Sequence, residues 1–316
     1  MADYAANTQD ARVAAVHRRF DVPARVAVHG RVGVGRRTVA AALTAAGLSV
    51  IDSEQADVTV VVVAEAGKPE DAAMVRRGVP TVVVLNKADV AGVGTGGPLA
   101  VAARRAADLA ATWECVVVPM SALLATATLD ESLVAALQVL VTHPADMTSV
   151  DAFVAADHPL AADVRARLLA TLDRFGVAHA VLAVADGVAP AAVTTRLREL
   201  SGVAAVAEAV CAAAAPARYR AVRAAVRALR LLAIAQRDAE LTAFLRSDSA
   251  VLAVMAAAVD VVEAAGATVD RGDDAATHLR RAVHWQRYAC GPVDRLHAAC
   301  GADISRGSLR LLARTP

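Results

Sequence analysis

The stretch Arg25-Val26-Ala27-Val28-His29-Gly30-Arg31-Val32-Gly33-Val34-Gly35-Arg36-Arg37-Thr38 opens as an apolar, β-branched run, breaks at three glycines and re-emerges as a helix-forming segment that ends near Ala46. Strand, glycine turn and helix in that order form the first unit of a parallel α/β sheet. The pattern repeats downstream: 48–52, 58–63, 80–86 and 114–120 are short runs dense in Val, Ile or Leu. Each suits a strand buried on both faces. Helices are expected between them at 37–46, 70–77, 98–112 and 130–142. After the linker-like Thr142-His143-Pro144-Ala145-Asp146-Met147-Thr148-Ser149, the period of two disappears and Ala, Leu and Arg recur at three and four. The fold class expected is α/β, a parallel sheet with flanking helices over 1–145, followed by an all-α bundle over 146–316.

The glycine turn carries chemistry in its spacing. Gly30 and Gly35 stand as in the pattern G-x-x-x-x-G-K-[ST], in which glycines let backbone N–H groups turn toward phosphate, a Lys neutralises it and a hydroxyl binds magnesium. Gly33 lies between them, Arg36 takes the Lys position and Arg37 the hydroxyl position, with Thr38 one place later. A guanidinium can neutralise phosphate, though its planar fork is no copy of a compact ammonium. A second motif, Asn86-Lys87-Ala88-Asp89, closes the run Thr81-Val82-Val83-Val84-Leu85 at the strand end where an open α/β sheet places its ligand loops. The chain has only two Asn and two Lys, so chance explains that pairing poorly. Ser121-Ala122-Leu123 follows the next strand. Read as local structure alone, Asn86 and Asp89 suit an Asx-capped turn and Ser121 a helix cap.

Together these three loops resemble the Ras-like GTPase superfamily, in particular its Era/Der-type and dynamin-like members, over about residues 24–143. The resemblance implies that the parallel sheet over 1–145 is P-loop NTPase-like, a trimmed Ras-like GTPase domain, with GTP or GDP as ligand. Asp89 would accept from the guanine ring and its exocyclic amine, Asn86 would tie the base loop to the phosphate loop, the Lys87 stem would pack on the base, and the Ala122 N–H would meet the guanine oxygen. It also shows what is missing. The superfamily brings a Thr and a D-x-x-G turn around the terminal phosphate, but only about a dozen residues, 47–57, separate the first helix from the next strand. Asp52 stands as a remnant of that motif, with Gln55 where its glycine belongs. Arg37 places magnesium (Mg2+) in doubt as well. The expected activity is that of a slow GTPase at most, in a regulatory protein acting by nucleotide-dependent association, with Arg31, Arg36 and Arg37 as a metal-independent cationic cradle. Two alternatives stay open: a pseudo-GTPase interaction module with a vestigial site, and a dynamin-like GTPase activated by dimerisation.

Composition bounds the partners. Of 316 residues, 57% are hydrophobic and only 3% aromatic, and 33 basic residues nearly balance 32 acidic ones. No net field draws nucleic acid, and few rings are present for base stacking, so nucleic-acid binding is not expected. The polar, acidic opening and the absence of a long uncharged apolar run lead to an expectation of a cytoplasmic chain without a spanning helix. Cys115, Cys211, Cys290 and Cys300 form no CxxC pair and read as free thiols. In the C-terminal half, Arg220, Arg223, Arg227 and Arg230 recur at helical spacing opposite Val222, Val226, Leu229 and Ile234. Such a basic stripe can meet acidic lipid or an acidic partner. The likeness to dynamin-like members implies a protein partner as well, a related GTPase or a second copy of the chain. His278, His284, Cys290, His297 and Cys300 match no standard metal-ligand spacing. Trp113 and Trp285 read as anchors of the two cores.

Overall fold

Valine-rich runs with no polar face must be covered on both sides, and the sheet is built that way. The computed structural model describes residues 24–53, 55–75 and 80–314. Its strands are β1 (Arg25–Gly30), β2 (Ser49–Val50), β3 (Val58–Ala64), β4 (Thr81–Asn86) and β5 (Val116–Met120). All are parallel, in the order β2-β1-β3-β4-β5. The register sets Val28, Val60, Val82 and Val116 in one row across four strands. Central strands carry the core: Val60 to Val63 and Val82 to Val84 are all fully buried. Val61, Val63, Val83 and Leu85 pack on one face with Ala106 of helix α3 (Gly97–Trp113). Pro119 lacks an N–H for a ladder and sits accordingly on the edge strand β5.

Helix α1 (Arg36–Ala45) follows β1, and the short α2 (Pro69–Ala72) follows β3. The expected helix over 70–77 is thus shorter than read: it ends at Ala72, Ala73 to Val75 form a turn, and 76–77 lie outside the described residues. The other three expected helices are present, and α4 (Ala122–Thr126), too short to show a period, joins them. Then come α5 (Glu131–Thr142), α6 (Val150–Ala155), α7 (Ala162–Ala185) and α8 (Pro190–Leu200). Leu124, Leu137, Phe153, Leu172, Val193 and Leu197 from these helices share one buried cluster. One main-chain and one side-chain bond tie them to the sheet layer: the Ser121 N–H donates to the Ser201 carbonyl at 2.9 Å and Arg198 Nη2 to the Ala45 carbonyl at 2.9 Å.

That packing corrects the expected division after residue 145. The chain forms two compact units, Arg25–Val210 and one beginning at Cys211, so the helices over 150–210 belong with the sheet. Composition does not change at that boundary, which falls inside helix α9 (Val203–Gln236). Helix α7, with 24 residues, is long and apolar enough to cross a membrane by length and composition. Asp173, at φ 56°, interrupts its helical geometry, and its Leu168, Leu172, Val177 and Ala180 are buried in the first unit's core. Broken there, neither piece exceeds about 18 Å at 1.5 Å per residue, short of a hydrocarbon core about 30 Å thick.

The second unit continues with α10 (Ala239–Arg246), α11 (Asp248–Ala264), α12 (Ala275–Ala289) and α13 (Arg295–Leu312). Asp238, Asp274 and Asp294 cap α10, α12 and α13 by accepting the N–H of Leu241, Thr277 and His297. Trp285 anchors the core with Tyr219, Val262, Cys300 and Ile304, as expected for that ring, whereas Trp113 in the first unit is only partly buried. Val222, Val226 and Leu229 of the amphipathic helix are buried, but Ile234 is 74% exposed, while its neighbour Ala233 packs with Leu241 and Leu245.

Candidate functional site

A sheet whose first strand has neighbours on both sides reverses its winding there, and beyond the carboxyl ends of β1 and β3 is where an open α/β sheet places its ligand loops. The loop from Gly30 to Gly35 lies at that point. Gly33 and Gly35 have φ of 89° and 87°, in the left-handed region. A Cβ on Gly33 would meet open space, whereas one on Gly35 would lie 2.3 Å from Asn86 Nδ2. Gly35 caps α1 without a side-chain acceptor, and Arg36 and Arg37 at its start are exposed, with Thr38 half-buried.

Asn86 is the junction of the site. It is buried at the end of β4, its Nδ2 donates to the Val34 carbonyl at 2.9 Å, and its Oδ1 accepts the Ala122 N–H at 3.0 Å. One carboxamide therefore holds together the loops that follow β1, β4 and β5. Lys87 beyond it is exposed with φ 61°, and Asp89 is half-buried in the 3-10 turn Ala88–Val90. Ser121 occupies the N-cap position of α4 but makes no cap bond, and its buried Oγ has no hydrogen-bond partner among the described residues. The N–H of Ala122 is engaged by Asn86, which corrects its expected availability to a purine oxygen.

Arg31 is corrected too. Its Nε and Nη2 donate to the two oxygens of Asp71, at 2.7 and 2.9 Å, in a bidentate fork that leaves Asp71 wholly buried. The Lys68 N–H adds a third bond to Asp71 Oδ2 at 3.0 Å. Burial pushes the Asp71 carboxyl up, but the Arg31 and Lys68 hydrogen bonds and the guanidinium charge outweigh it and hold the group below its ordinary value. Arg31 thus locks the glycine loop to α2 instead of joining a cradle with Arg36 and Arg37. The sequence reading missed Asp71, 40 positions from its partner. Pro69 and two acids after it mark a helix start, yet nothing local names Arg31 as the target.

Asp52 and Gln55 are exposed in the turn between β2 and β3, where the Gln55 N–H donates to Ser53 Oγ at 3.1 Å. Among the described residues no group of three His, Cys, Asp or Glu side chains is arranged to hold a metal. His278 is instead packed against Arg281, whose Nη2 donates to its Nδ1 at 2.8 Å.

These elements define a parallel α/β unit whose β1, β4 and β5 loops are joined through one buried amide, followed by a helical unit. No family model, curated protein or solved structure gives a significant match to the chain.

Proposed function

We propose that this chain binds a guanine nucleotide, GTP or GDP, and acts through nucleotide-dependent association, hydrolysing slowly or not at all. The observation that carries the reading is the Asn86 carboxamide, which draws Val34 of the glycine loop and Ala122 of the last loop to one point beside Asp89. Backbone N–H groups at the start of α1 meet the phosphates, Arg36 and Arg37 supply the compensating charge, and the Asp89 carboxylate selects guanine by accepting from its ring N–H and amine. The proposal includes no magnesium: Arg37 offers no oxygen, and Thr38 is turned about 100° around α1 from the position a ligand needs. Calorimetry of the purified chain with GDP, GTP and ATP tests it. Tighter binding of both guanine nucleotides than of ATP supports the reading; equal or undetectable binding of all three removes it.

A second reading has its own support. The Arg31–Asp71 fork and the occupied Ala122 N–H withdraw two groups that a nucleotide site would use, which favours an interaction module whose nucleotide site is vestigial. The same titration separates the two.

A further inference from the structure

We infer that the helical unit contains a second ligand site, specific for a phosphate monoester carried on a short apolar stem. Its basis is a cleft of about 400 Å³ between α9, α10, α11 and α13, a volume within the range of small-molecule sites. Arg223, Arg227 and Arg230 line one wall at successive turns of α9, and Asp303 and Arg306 of α13 line another. The basic residues read from sequence as a surface stripe therefore border a concavity.

The charges there are unequal. Asp303 accepts from Tyr219 Oη at 2.7 Å and lies 3.7 Å from Arg223 Nε, so it answers Arg223 and fixes it in place, with the Arg223 guanidinium 5.7 Å from the Tyr219 ring centre. Among the described residues, no carboxylate pairs with Arg227, Arg230 or Arg306. Three guanidinium groups face the cleft with no answering charge. A carboxylate would satisfy one of them, whereas a dianionic phosphate presents three oxygens to two or more planar forks. The remaining lining is aliphatic: Val226 and Leu245 are buried, and Ala250, Val251 and Val254 complete that side. Among the described residues no aromatic ring lines the cleft to stack on a base, so a nucleotide fits it poorly. An aliphatic stem under a phosphate head satisfies both halves.

A soluble phosphomonoester and a phosphatidic-acid headgroup share this chemistry. Calorimetry of the full chain without nucleotide, using hexyl phosphate and inorganic phosphate, is run beside co-sedimentation with phosphatidylcholine vesicles with and without phosphatidic acid. Arg227→Gln and Arg306→Gln serve as variants, with unchanged melting temperature showing that each is folded. Binding of hexyl phosphate that weakens about tenfold in each variant, and exceeds that of inorganic phosphate, supports the site with a soluble ligand. Sedimentation only with phosphatidic acid, lost in both variants, supports it with a lipid source. Absence of binding to either probe, equal affinity for hexyl and inorganic phosphate, or binding unaltered in both folded variants overturns the proposal. None of these residues belongs to the loops around Asn86, so failure here leaves the guanine reading standing, and the reverse holds too.

Discussion

The Asn86 carboxamide donates to the carbonyl of Val34, 52 positions earlier, and with its other atom accepts the N–H of Ala122. Val34 and Ala122 are both buried, so no water stands ready to replace either bond. Asn86→Ala leaves two buried main-chain groups unpaired and should destabilise the protein by about 2–6 kcal/mol, at about 1–3 kcal/mol for each orphaned group. Urea denaturation followed by circular dichroism measures it. A loss under about 1 kcal/mol would show that the three loops do not depend on this residue.

Two glycines in one loop separate backbone strain from steric exclusion. Gly33→Ala places a Cβ in open space at φ 89°, so its loss should stay near the 1–2 kcal/mol of a left-handed residue. Gly35→Ala adds to similar strain a Cβ 2.3 Å from Asn86 Nδ2, so its loss should be larger by at least about 1 kcal/mol. Equal losses would mean that Asn86 gives way freely.

Asp71 makes acid sensitivity testable. Its folded carboxyl lies below the ordinary value, so the stabilisation it contributes is fully present above the unfolded pKa, about 3.9, and is lost as pH falls through the folded one. Stability of Asp71→Asn should accordingly fall less steeply than that of the parent below about pH 4. Matching slopes in chemical denaturation between pH 5 and 2 would contradict the assignment. Arg36, exposed at the start of α1, has no carboxylate partner among the described residues, so Arg36→Gln should leave stability nearly unchanged and weaken GDP binding about tenfold.

In the second unit, Arg281 is nearly buried, and it donates to Ser308 Oγ at 2.9 Å and to the Asp270 carbonyl at 2.7 Å as well as to His278. Burial holds its guanidinium below the usual arginine value, with Asp270 and Asp273 opposing that shift. Arg281→Met should lower stability by about 2–3 kcal/mol. A change within about 0.5 kcal/mol would show that the 270–274 segment is held by other contacts.

Much of the sheet was legible before any coordinates. Val58 to Val63 and Thr81 to Asn86 read as strands because β-branched residues in unbroken runs suit only a pleated surface covered on both sides. Asn86 and Gly35 were legible as spaced motifs, and the bond from Asn86 to the glycine loop followed from the resemblance they carry. The Arg31–Asp71 fork was not, since charges on separate loops carry no sequence signal of their pairing. Nor was the boundary at Val210: α6 to α8 share the Ala and Leu pattern of the later helices and differ only in what they pack against. Ser121 was placed correctly at the start of a helix, yet its hydroxyl is turned into the protein and caps nothing.

Guanine recognition through Asp89 is the central claim, and the base preference of Asp89→Asn tests it most directly. A carboxamide at this position offers a donor where guanine needs a second acceptor, and xanthine, with a carbonyl in place of the amine, accepts from it. Titrating GDP and xanthosine diphosphate into the folded variant by calorimetry should show GDP weakened at least about tenfold and xanthosine diphosphate preferred. GDP affinity equal to that of the parent chain would contradict the account, because Asp89 would then not lie at the base.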